Sequence, residues 1–241
     1  MPRSSVDYAT DQITVYRYCP YNCAYCYVWR NKLFASRVVR GRYDPVEEAR
    51  KYLRKNGRTI VVSFVSDPYP PEEAVRGLTR RVLELLCRTG NRVMVLTKNP
   101  LIPLSRDLDL FINGYDAWLG TTVITLSIVI SSVLENHAPN PWLRLYALKL
   151  AKEKGVKTWL SIEPIIPYKT DIIDIINASK SFTDYYVLGA FNYPKHLGFK
   201  LSKEELRRYY QYKIPKAIEL LESYGISYHI KKELKRYLDV V

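Results

Sequence analysis

Cys19, Cys23 and Cys26 stand in the run Cys19-Pro-Tyr-Asn-Cys23-Ala-Tyr-Cys26-Tyr27, with gaps of three and two residues. Three thiolates so spaced can hold three corners of a cubane iron–sulfur cluster and leave the fourth iron without a protein ligand. An open iron binds a small molecule, so the spacing points to chemistry and not only to structure. The competing reading is a zinc site completed by Cys87 or by one of His137, His196 and His229. Structural zinc normally takes four ligands, often as two close pairs, and one triplet without a second knuckle fits it poorly. Cys87 lies in the helical pattern Val82-Leu-Glu-Leu-Leu-Cys87-Arg and reads as a small buried hydrophobe.

The elements that must position this loop follow from periodicity. Short β-branched or aromatic runs predict strands at Ile13–Tyr18, Ile60–Val65, Arg92–Thr97, Ala117–Val123, Lys157–Ile162 and Tyr185–Leu188. Helical patterns fall between them at Pro45–Lys55, Glu72–Thr89, Ser105–Ile112, Ser127–Glu135, Pro141–Lys154 and Thr170–Ser181. Strict alternation implies right-handed crossovers and a parallel sheet. Beyond it, the capping box Ser202-Lys-Glu-Glu205 opens a long helix expected to break near Pro215. A further strand, Ile226–Ile230, and a basic helix, Lys231–Leu238, end the pattern. The expectation is one α/β domain over residues 1–241, a partial (β/α)6 barrel whose C-terminal extension, helix–strand–helix, starts near residue 200. A doubly wound sheet has the same pattern, and in both the site lies at the strand C-terminal ends.

The bulk composition narrows the class. At 241 residues and 47% hydrophobic content the chain can bury a sizeable core. The start, Met1-Pro-Arg-Ser-Ser-Val-Asp, has no apolar signal segment, and Val123–Val133 is interrupted by Thr125, Ser127, Ser131 and Ser132. A soluble, cytoplasmic protein without membrane contact is expected. The net charge of +13 has two readings, a nucleic-acid partner or a cation-rich solvated surface.

The cysteine run with the following aromatic, Tyr27, resembles the radical S-adenosylmethionine (SAM) superfamily. Ser66-Asp67-Pro68-Tyr69-Pro70-Pro71-Glu72, Leu78-Thr79-Arg80-Arg81-Val82-Leu83, Leu96-Thr97-Lys98, Leu134-Glu135 with Ala138-Pro139 and Arg144-Leu145, and Pro164-Ile165-Ile166-Pro167 are similar to its spore photoproduct lyase branch. The resemblance implies a [4Fe-4S] cluster on Cys19, Cys23 and Cys26, with SAM chelating the open iron. Reductive cleavage of SAM then releases a 5′-deoxyadenosyl radical that abstracts hydrogen from a substrate. It also implies an electron donor of flavodoxin or ferredoxin type. Tyr27, Ser66, Lys98 and Thr122 are the candidates to hold SAM, Lys98 through the carboxylate, with Ser161 and Glu163 facing the same pocket. Glu135 and Arg144 are read as an ion pair ordering the loop between their helices or as ligand contacts. Asn192 and Lys195, after the sixth strand, are candidates for substrate contact. Where the lyase carries a hydrogen-donating cysteine this chain has Ser63-Phe64-Val65, so that enzyme's own reaction is not expected. The substrate is left unidentified: nucleic acid is suggested by charge, by the tail Lys231-Lys232-Glu-Leu-Lys235-Arg236 and by the branch resembled, while for a small metabolite or a peptide the charge would be mere surface. The rival function is a zinc-binding nucleic-acid-binding module without catalysis.

Overall fold

The β-branched and aromatic runs become strands, and all lie in one parallel sheet. The computed structural model describes residues 6–30, 43–63, 65–192, 194–198 and 200–238. Among them, β1 (Asp11–Ile13), β2 (Thr59–Val62), β3 (Arg92–Leu96), β4 (Ala117–Thr122), β5 (Lys157–Ile165), β6 (Tyr185–Ala190) and β7 (Ser227–Ile230) lie side by side in chain order. Each neighbouring pair is parallel, so the chain crosses back over one face between strands. The sheet curls into a half-barrel. The C-terminal extension supplies the seventh strand, which pairs with β6 from Tyr185↔Ser227 to Leu188↔Ile230.

Alternation along the strands sorts side chains into two layers. Ile60, Val62, Val93, Val95 and Leu119 belong to a core with one set of helices, and Leu160, Ile162, Tyr186 and Leu188 to a core with the rest. Their sequence neighbours Val61, Met94, Trp159 and Val187 point the other way and fill the barrel interior with Val6 and Tyr8. Trp159 fits there because its partner in the ladder is Gly120. A Cβ on Gly120 would come within 2.3 Å of the indole, whose Nε1 donates to Val95 O at 3.1 Å. Gly120→Ala is therefore expected to cost about 1–3 kcal/mol through overpacking. A lower urea midpoint with unchanged slope would show it, and Trp159→Leu should recover part of the loss. A midpoint equal to the wild type would mean that the indole has room to move.

Several boundaries differ from the sequence expectation, each for a local reason. The first strand is Asp11–Ile13, not Ile13–Tyr18. After Ile13 the ladder is replaced by a side chain: Ser63 Oγ accepts from Val15 N at 2.9 Å and donates to Ile13 O at 3.3 Å. The helix expected over Glu72–Thr89 is split into Glu73–Arg76 and Leu78–Leu86 by Gly77, whose φ of 59° ends the first piece. The one expected over Ser105–Ile112 is instead Leu101–Arg106 and Asp109–Ile112. Between them Asp107 turns its buried carboxylate to the Tyr69 hydroxyl at 2.9 Å. Pro215 does not break its helix, which runs from Lys203 to Ser223. Pro215 lies on the exposed side, where water can take the hydrogen bonding that the ring removes. The capping box at Ser202 and Glu205 forms as expected. β5 runs on to Ile165, past its expected end at Ile162, and so carries Glu163 into the sheet. No helix among the described residues is long and apolar enough to cross a membrane.

Candidate active site

The cysteine loop leaves β1 and crosses the C-terminal ends of the strands, pinned from both sides. The Ser66 hydroxyl donates to Tyr16 O, and the Tyr21 hydroxyl donates to Tyr69 O at 3.0 Å. Further along, Ala24 N donates to Leu134 O at 2.9 Å and the Tyr25 hydroxyl donates to Glu135. Asn22 takes a φ of 41°, a left-handed conformation that asparagine tolerates better than most residues. Cys26 N closes a turn onto Cys23 O at 2.9 Å, and a short helix, Tyr27–Arg30, begins directly after it.

All three thiols are half-buried and line a single cavity of about 960 Å³, its open mouth included. Ser66 and Asp67 follow β2 into its wall, Thr97 and Lys98 follow β3, and Thr122 ends β4. Ser161 and Glu163 come from β5, while Ala190, Phe191 and Asn192 close the β6 side. The sequence thus placed Tyr27, Ser66, Lys98, Thr122, Ser161 and Asn192 around one space, and the fold brings them there. Lys195 lies in the turn Pro194–Leu197, with its side chain outside the described set, as is that of His196.

Asp67 and Glu135 organise the wall. Asp67 accepts from Thr97 Oγ1 at 2.7 Å, from Lys98 N at 2.7 Å and from Tyr69 N at 2.8 Å, which locks the β2 loop to the end of β3. Burial nevertheless raises its carboxyl above the ordinary value. Glu135 and Arg144 do pair, at 2.7 Å and both almost fully buried. Arg144 also donates to Thr122 O at 2.8 Å and to Pro139 O at 2.6 Å. Lys98 Nζ sits 3.5 Å from Glu135 and 5.7 Å from the centre of the Tyr25 ring. Burial pulls the Lys98 ammonium down, but Cys23, Glu135 and Asp67 outweigh it and hold its pKa above the ordinary value. Burial would likewise raise the Glu135 carboxyl, but Arg144 and Lys98 hold it low.

Three features fit a cluster with a ligand beside it. Burial pushes the Cys19 and Cys23 thiols up to about 11 and about 12, so loading metal there must expel protons. Lys98 stands ready to compensate the thiolate at Cys23. Ser161 Oγ is buried with no hydrogen-bond partner, as expected of a hydroxyl made for a ligand. A single zinc fits less well. No three His, Cys, Asp or Glu side chains among the described residues form a group able to hold one ion. Cys87 is buried in the outer core with its Sγ 3.6 Å from Leu110 O, and His229 faces Asp7 at 3.1 Å.

Two contributors escaped the sequence reading. Tyr25 lies inside the cysteine motif, where an aromatic spacer gave no sign of its partner Glu135. Lys231 was read as part of a basic surface, yet it is 7% exposed and its Nζ lies 2.5 Å from Glu163 Oε1. That removes Lys231 from any surface patch. Burial raises the Glu163 carboxyl despite this partner, and Glu163 in turn holds the Lys231 ammonium up.

Comparison with known proteins agrees with this geometry. The profile described as "Radical SAM superfamily" matches residues 13–177. An uncharacterised protein of Methanocaldococcus jannaschii is 31% identical over 232 residues, covering 95% of this chain and 83% of that protein. Among solved structures, Streptococcus suis SuiB bound to S-adenosylmethionine superposes with a TM-score of 0.65 at 14% identity. That match covers 91% of this chain and half of SuiB. A spore photoproduct lyase mutant with bound AdoMet and dinucleoside spore photoproduct gives 0.67 at 15% identity, covering 95% of this chain and 78% of the lyase. At such identities these two likenesses speak for the fold alone. The profile and the archaeal relative go further, and on them the chain belongs to the radical SAM superfamily.

Proposed function

We propose that this enzyme cleaves SAM reductively and turns the resulting radical on a nucleic acid. A [4Fe-4S] cluster and SAM are the cofactors of its family. When bound, they supply a 5′-deoxyadenosyl radical able to abstract hydrogen. The observation that carries the reading is the gathering of Cys19, Cys23, Cys26, Lys98, Thr122 and Ser161 around one cavity.

The chain's own part is to hold, orient and exclude. Cys19, Cys23 and Cys26 ligate iron and leave one corner open. Lys98 meets the carboxylate of SAM, and Tyr27, Ser66, Thr122 and Ser161 position the rest of that molecule. The apolar wall of Val28, Val65, Leu96, Pro164 and Phe191 keeps water from a reactive carbon. Outside, Tyr168 is 76% exposed in the loop after β5, beside exposed Lys169. An exposed aromatic next to a cation, near the strand ends that open the cavity, suits a stacked base and its phosphate.

Anaerobic reconstitution followed by dithionite and SAM is expected to yield 5′-deoxyadenosine. Well-reconstituted protein without a cluster spectrum, or without that product, overturns the cofactor chemistry. A salt series with single-stranded oligonucleotides tests the substrate class, with affinity expected to fall steeply as salt rises. No binding at low salt overturns the nucleic-acid reading.

A further inference from the structure

The β5–β7 side of the cavity carries a polar group to which the SAM contacts proposed above give no role. Glu163 lies two residues beyond Ser161 on the same face of β5, about 7 Å nearer the strand end. Its side chain occupies the space beside Gly189 of β6, where a Cβ would come within 2.6 Å of Glu163 Cγ. Behind it Lys231 follows β7, fixed by its own N–H to Leu188 O at 3.0 Å. The Lys231 ammonium takes Glu163 Oε1, and the carboxylate keeps 17% exposure as part of the cavity lining. Asn192, exposed at the end of β6, adds an amide at the rim.

We infer that Glu163 and Asn192, with Lys231 holding Glu163, form the substrate-recognition face of this enzyme and accept the hydrogen-bonding edge of a nucleobase. The inference rests on the nucleic-acid reading and deepens it. Lys231 is shared by Glu163 at 2.5 Å and Glu233 at 2.9 Å, so the group has no spare positive charge and would repel a phosphate. A neutral edge carrying donors beside acceptors fits instead: Glu163 accepts, and the Asn192 amide both donates and accepts. A base from a single strand reaches such a depth without being unpaired first. Glu163 and Lys231 act as specificity residues, and phosphate binding is left to the outer surface.

The test is fluorescence anisotropy on reconstituted protein with SAM. The probes are thymine oligonucleotides of about a dozen residues, unchanged or carrying one other base at the centre. The wild type is expected to prefer one central base by about tenfold. Glu163→Gln, which keeps the shape but exchanges an acceptor for a donor, should cut that preference below about twofold or move it to another base. Its salt dependence should match the wild type, because phosphates are held elsewhere, and a merely structural loss would not spare one and remove the other. Asn192→Ala, at an exposed site that tolerates change, should narrow the preference in the same way.

A base preference untouched by both variants overturns the proposal, as does oligonucleotide binding without preference in the wild type. So does a Glu163→Gln protein that loses SAM affinity tenfold while keeping its base preference, since Glu163 then belongs to the cofactor. Capture of an acetylated tripeptide amide in place of the oligonucleotides assigns the face to a peptide and overturns the nucleobase. Failure of every oligonucleotide to bind at low salt removes the nucleic-acid reading itself, and is distinct from binding without discrimination.

Discussion

Replacing Cys19, Cys23 or Cys26 singly by serine is expected to reduce reconstituted iron from about four per chain to less than one. It should also abolish 5′-deoxyadenosine formation. The reason is geometric as well as chemical: the loop places the three half-buried thiols in the wall of one cavity. A cubane held at two corners exposes two irons to solvent and loses the single open site that positions SAM. Cys87→Ser is the control, since that thiol sits in the outer core and its loss should leave iron content intact. Iron retained at wild-type level by a triplet variant would show that the cluster is held by other residues.

Glu135→Leu is expected to cost about 3–5 kcal/mol of stability, because it leaves the Arg144 guanidinium buried without its counterion. The pair is 2.7 Å apart with side chains 1% and 0% exposed, so water cannot take over. Arg144→Met should cost a similar amount, whereas the double variant should lose much less than the sum, the signature of a coupled pair. The pH dependence has a definite sign. The folded carboxyl of Glu135 is held below the ordinary value of 4.5, so its contribution is complete above that pH and lost as pH falls through the lower folded value. The gap in stability between wild type and Glu135→Leu should therefore narrow in acid. Chemical denaturation across pH measures it, and a gap that widens in acid contradicts the ion pair. Iron loading should fall as well, because Glu135 also receives the Tyr25 hydroxyl from within the cysteine loop.

Much of the cavity was legible in the sequence because each strand end sits next to its own chemistry. Lys98 ends a β-branched run, Thr122 ends another, and three cysteines follow the first. A residue two positions on from an inward residue also points inward, so Ser161 and Glu163 could be placed together. The failures share a cause. The first strand ends before its apolar run does because a serine side chain, Ser63, takes the place of a backbone partner beyond Ile13. Periodicity predicts one helix over Glu72–Thr89 because the amphipathic pattern outlasts the single left-handed residue at Gly77. Pro215 predicts a break that its exposed position makes unnecessary. Lys231 was read from its charged neighbours, while its burial is decided by β7 joining a sheet whose sixth strand is some forty residues earlier.

Trp159 resting on Gly120, with Tyr8 and Val6 beneath, stops the barrel one layer below Ser161. Among the described residues, the chamber is therefore floored by packed side chains on that side. A molecule seated across the strand ends, at Glu163 and Asn192, would cover whatever lies over that floor.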